Sequence, residues 1–170
     1  MEKGYLKKLT LSGMLIALGY VLTVFLKIPY ANGAGYFNFG DVITLLAAVI
    51  LGPWYGAFIG ASFSSMADLF SGFGQFVPFT ILAKALMAII SGYLYKIFPK
   101  KIKYFGLLIG SLVMVGIYFI SYFIYYGLGA YISSIFDLVQ ALISSLLGYF
   151  LLFPLEKYFP KKSDEHQSGL

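Results

Sequence analysis

The chain has no cysteine and no arginine, and only one histidine and one tryptophan in 170 residues. Without cysteine there is neither a disulfide framework nor a thiolate metal site. Without arginine, the net charge of +5 rests on lysine alone. Charge of either sign is scarce: 11% of residues carry it, where a soluble domain has about a quarter. The motifs of hydrolytic chemistry are missing too, since no G-x-S-x-G, H-E-x-x-H or Walker loop occurs. The chain therefore has no recognisable means of binding ATP, and any active process needs another subunit. Nor does it carry the ring of repeated charges that lines many pores.

What it has in excess is hydrophobic residues, 60% of the chain. That is more than a globular core can use, and it makes the bilayer the solvent. Six apolar runs are read as spans: Leu9–Leu26, Val42–Leu51, Trp54–Phe70, Phe79–Phe98, Phe105–Gly127 and Ile132–Phe153. A full crossing needs ~20 apolar residues, so the second run is short. Gly52-Pro53 parts it from the third, and that tight turn signal predicts a close helical hairpin. The first run invites comparison with a cleaved leader, but it is longer than the usual leader core and no A-x-A site follows, so it is read as a helix. The predicted fold is an all-α integral membrane protein with six transmembrane helices. It forms a single domain over residues 1–160, followed by a polar, disordered tail over 161–170. The histidine, His166, falls in that tail and is read as solvated.

Lysine placement predicts orientation. Lys3, Lys7 and Lys8 precede the first run, Lys96, Lys100, Lys101 and Lys103 join the fourth and fifth, and Lys157, Lys161 and Lys162 follow the sixth. With six spans these all fall on one side, which the positive-inside rule makes cytoplasmic, together with both termini. A basic nucleic-acid surface is a poorer account, because the lysines flank apolar spans. Lys27–Asp41 and Ser71–Pro78 then face outward. They are the elaborate connections, where a binding loop is expected.

The remaining polar residues gather in one layer. Asp41, Asp68 and Asp137 fall at outer ends of spans, and Lys84 lies within the fourth. Thr80 and Lys84 share a helix face, as do Asp137, Gln140 and Ser144, and a stripe of Tyr118, Tyr122, Tyr125 and Tyr126 runs along the fifth span. These stripes could line a cavity that holds a flat ligand between tyrosine rings. Plainer accounts stand beside this one: Lys84 pairs with Asp137 or Asp68 or snorkels outward, Asp41 caps a helix, and the tyrosines form an interfacial belt. Small residues make a second pattern. Gly56, Gly60 and Ser64 recur every fourth residue in the third span, with Ala57, Ala61 and Ser65 alongside. There internal packing is the expectation. Gly13 and Ala17 repeat the spacing in the first span, where a partner surface is the alternative.

The series Gly40-Asp41-Val42, Leu51-Gly52-Pro53, Gly56, Gly60, Ala67-Asp68-Leu69, Ser71-Gly72, Pro78, Thr80 and Lys84 resembles the substrate-binding S components of energy-coupling factor (ECF) transporters. It is most similar to the riboflavin-type branch, which includes hydroxymethylpyrimidine and pyridoxine S components. The motifs cover the first four spans, and the last two match in length and hydropathy. The resemblance implies a multi-pass protein of the bacterial plasma membrane that is not an enzyme and has no cofactor or metal. It implies vitamin binding near the outer face, among Asn38, Asp68, Gln75, Thr80, Lys84, Tyr122, Asp137 and Gln140. It also implies docking through Gly13 and Ala17 onto a transmembrane coupling subunit served by two cytoplasmic ATPases; Gly13 stands where the family has alanine. Hydroxymethylpyrimidine or pyridoxine is the favoured cargo and riboflavin the alternative. Rival readings are a small membrane enzyme using Asp68, Lys84 and Asp137 as acid–base groups, and a self-contained channel or carrier.

Overall fold

The computed structural model describes residues 3–30 and 35–158. The tail with His166 lies outside the described residues. Six α-helices occur among them: α1 (Lys3–Phe25), α2 (Gly40–Ile50), α3 (Pro53–Phe70), α4 (Val77–Ile97), α5 (Phe105–Tyr126) and α6 (Ala130–Tyr158). Each predicted run is helical. The helices overshoot the runs furthest at two ends, because hydropathy marks apolar length and not helix length. α1 starts well before Leu9, among the lysines, and α6 passes through Pro154. Gly4–Phe25, Gly74–Ile97 and Phe105–Leu155 are long and apolar enough to cross a membrane, the last holding α5 and most of α6. α2 is apolar but has only 11 residues, a rise of about 16 Å against a hydrocarbon core of ~30 Å.

The fold is not wholly helical. Ile28–Tyr30 (β1) and Gly35–Phe37 (β2) pair antiparallel, with Ile28 opposite Phe37. Three-residue strands are too short to show the alternation that announces a strand, so the sequence reads here as loop. At the predicted turn after α2, Gly52 has φ +115° and Pro53 opens α3. Only glycine adopts that φ without strain, and proline is preset for a first helical turn.

α4 lies at the centre, packed on α3, α5 and α2. Leu45, Met87, Leu107, Met114 and Leu152 form the larger core around it. Ile43, Ala47, Ile59 and Phe63 form a second core with Leu15, Ile16 and Tyr20 of α1. Outside, Phe25, Phe58, Phe70, Ile97 and Phe150 are exposed. Such a surface suits lipid and would drive association in water.

The two ends of the bundle differ. At one, Lys8 sits over the Tyr55 ring at 5.5 Å, and Lys103 lies 4.9 Å from the Tyr95 ring and 5.1 Å from that of Tyr104. At the other, where α2, α4 and α6 begin and α1, α3 and α5 end, the buried charges collect.

Candidate functional site

Four acidic or basic side chains are buried among the described residues: Asp41, Asp68, Lys84 and Asp137. Such groups inside a membrane protein survive only with partners. Asp41 belongs to the first turn of α2 but caps nothing. Its carboxylate reaches across the bundle, where Lys84 Nζ donates to Oδ1 and Gln140 Nε2 donates to Oδ2 at 2.6 Å. Gln140 Oε1 accepts from the Asn38 backbone N–H at 2.9 Å. Asn38 Oδ1 in turn accepts from the Gly40 N–H at 2.9 Å and from Thr23 Oγ1 at 3.4 Å. One network thus ties α1, α2, α4 and α6 to the end of the hairpin. Gly40 permits it: a Cβ there would lie 2.1 Å from Thr23 Oγ1 and 2.8 Å from the Phe63 ring. Lys84 Nζ also lies 3.1 Å from Met114 Sδ and 5.4 Å from the centre of the Tyr118 ring.

A second network centres on Asp68, near the end of α3. Tyr36 Oη donates to Oδ1 and Thr80 Oγ1 to Oδ2, both at 2.5 Å, and Tyr118 Oη donates to Thr80 Oγ1 at 3.2 Å. Tyr36 comes from β2, so the hairpin is fastened to α3. Lys27 adds to the fastening, donating to Ser71 Oγ at 3.0 Å with its Nζ 5.8 Å from the Tyr36 ring.

Between the two networks lies a cavity of about 40 Å³. Its polar wall is Asn38, Asp68, Thr80, Lys84, Asp137 and Gln140, and its aromatic wall is Tyr36, Phe73, Phe76, Tyr118 and Tyr122. Tyr118 and Tyr122 are near-parallel, with centroids 6.0 Å apart at 19°, and Phe76 stands edge-on to Tyr122 at 5.4 Å. The space suits a few waters, so a larger solute has to displace side chains, and Tyr36 and Phe76 come from the connecting segments.

Seven of the eight residues predicted to bind solute line this cavity, and Gln75 does not. The 3-10 turn Gly74–Phe76 buries Phe76 and leaves the Gln75 side chain exposed, while its carbonyl accepts from Tyr125 Oη at 3.0 Å. The pairing of Lys84 also needs correction: its ion-pair partner is Asp41, not Asp137 or Asp68. Sequence reasoning placed Asp41 as a terminal cap and overlooked Tyr36 and Phe76. The signal for Asp41 was present, as one of three acids in the same outer layer as Lys84. None existed for Tyr36, one of 15 tyrosines. Ser144 continues the Asp137–Gln140 stripe but is buried below the cavity. On α1, Gly13 and Ala17 are exposed, and a Cβ at Gly13 would meet nothing within 4 Å.

A helical membrane protein that closes a polar and aromatic cavity at one end defines a class, that of membrane-embedded binders of small solutes. Known proteins narrow it. The family described as "ECF-type riboflavin transporter, S component" matches residues 4–157, and the chain belongs to this family of vitamin-transporter S components, which are not enzymes. A solved S component of a bacterial ECF transporter superposes with a TM-score of 0.74 at 26% identity, covering 91% of this chain and 98% of that one. An uncharacterized protein of Pyrococcus woesei is 32% identical over 81% of this chain and 93% of its own length. The thiamine precursor transporter HmpT of Lactococcus lactis subsp. cremoris is 28% identical over 87% of each chain.

Proposed function

We propose that this protein captures a one-ring B vitamin or precursor, hydroxymethylpyrimidine or pyridoxine, at the outer face of a bacterial plasma membrane. It delivers that cargo inward when docked on a transmembrane coupling subunit powered by two cytoplasmic ATPases. The chain passes the membrane six times with both termini inside, α2 covering only part of the thickness as helix. The lysine-rich end is cytoplasmic and the cavity end external, as the positive-inside rule requires. Gly13 and Ala17 on the open face of α1 meet the coupling subunit. Asn38, Asp68, Thr80, Lys84, Tyr122, Asp137 and Gln140 form the binding set, with Gln75 left out because it is exposed.

The observation that carries the cargo reading is the cavity itself: aromatic rings along one wall, carboxylates and amide along the other, and only about 40 Å³ between them. A single flat ring needs less expansion than a three-ring flavin with a polyol tail. Likeness to a thiamine precursor transporter supports the pyrimidine. The family's description favours riboflavin as the second reading.

Calorimetric titration of the purified protein with a panel of B vitamins tests this. Tightest binding is expected for the pyrimidine or pyridoxine. Tightest binding of riboflavin overturns the cargo, and binding of none overturns the function. Uptake into liposomes by this chain alone, without ATP, would sink the mechanism.

A further inference from the structure

Two buried carboxylates, Asp41 and Asp68, lie near the buried ammonium of Lys84. A buried carboxylate without compensation is costly, so what each is bonded to matters to whatever enters. Lys84 is already committed, because its Nζ donates to Asp41, which also accepts from Gln140. Asp68 is held differently. Its two partners are hydroxyls, Tyr36 on the hairpin and Thr80 on α4. An ionised carboxylate offers about four lone-pair sites, so two hydroxyls leave it able to accept further donors. Exchanging a hydroxyl for a cationic N–H strengthens the bond.

We propose that Asp68 is the specificity-determining residue of the cavity, and that it selects a nitrogen heterocycle with an amidine face. Such a face sets a ring nitrogen beside an exocyclic amine and, with one added proton, presents two N–H donors and a positive charge to one carboxylate. Asp41 is the positioning residue: it takes Lys84 as its ion-pair partner, so the hydrogen bonds to Asp68 come from hydroxyls. A phosphate ester of the same heterocycle is rejected. It would bring more negative charge into a wall whose lysine, Lys84, is already paired, in a chain without arginine. The inference rests on the one-ring cargo reading and narrows it to an aminopyrimidine over pyridoxine, which has no amidine face.

The test titrates the purified full-length chain with three probes. They are the hydroxymethyl aminopyrimidine, the analogue with oxygen in place of its exocyclic amine, and its monophosphate. The amino probe is expected to bind about 30-fold tighter than the oxo analogue, as for lost hydrogen bonds to a charged group. The monophosphate is expected to bind at least about 100-fold more weakly. Asp68→Asn should bring the amino-to-oxo ratio to within about threefold. A ratio near one in the unmodified protein overturns the inference while the cargo reading stands, and needs no variant to fold. So does an unchanged ratio in folded Asp68→Asn, or equal binding of the monophosphate. Failure of the unmodified protein to bind any pyrimidine overturns the inference and its pyrimidine cargo together.

Discussion

Two faces of this molecule carry the same spacing of small residues and meet opposite fates. On α3, Gly56 and Gly60 are pressed against α2. A Cβ at Gly56 would lie 2.5 Å from Ala48 Cα, and one at Gly60 would lie 2.6 Å from Thr44 Cγ2. On α1, a Cβ at Gly13 would meet nothing, and Ala17 is exposed. Small residues every fourth position say that a backbone can come close. They do not say whether one has. The α3 face is spent on holding α2, a short helix that also packs on α1, α4 and α6. The α1 face is left open within this chain, and docking on a coupling subunit is the use proposed for it.

Four substitutions probe that contrast, ordered by expected loss of stability. Gly56→Val should be the most damaging, because the obstacle is backbone and cannot rotate away. Its cost should reach or pass the top of the usual ~1–3 kcal/mol for overpacking, lowering the apparent Tm by about 10 °C. An unchanged melting curve would mean the seam is looser than described. Gly60→Ala meets a threonine side chain, so about 1–2 kcal/mol is expected by the same measurement. Ala17→Trp should leave Tm within about 2 °C and vitamin binding intact while copurification with the coupling subunit is lost. Normal copurification would count against α1 as the docking face. Gly13→Ala should change least. Assembly persists, and Tm holds or rises slightly, by the ~1 kcal/mol or less that helix propensity supplies.

The helices were legible because each is an apolar run bounded by lysine, glycine or proline, and α3 was placed to within a residue by Gly52-Pro53. The layer of the cavity was legible as well, since scarce polar residues in apolar runs stand out, and helical spacing put Thr80 with Lys84 and Asp137 with Gln140. Pairing across helices was not. Spacing along one helix fixes which residues share its face, but not which face it turns to a neighbour, and so Lys84 was given the wrong aspartate. The hairpin escaped because its strands are three residues each, and with it went Tyr36. Gln75 and Phe76 show the same limit at finer scale: adjacent residues of one short turn point opposite ways, and only tertiary packing chose the phenylalanine for the interior.

On the role proposed for Asp68, the hydroxyl of Tyr36 bonded to it has a consequence for how a solute is admitted. A side chain tethered beside its acceptor never dilutes. Its effective concentration is set by the chain that holds it, on the order of millimolar or more. Every solute that reaches Asp68 meets this resident competitor at a constant level, however scarce the solute is outside. One that offers a single comparable hydrogen bond only trades places with the hydroxyl and gains little. One that offers two comes out ahead, and the margin is the second bond. The cavity therefore sets a threshold before it sets an affinity.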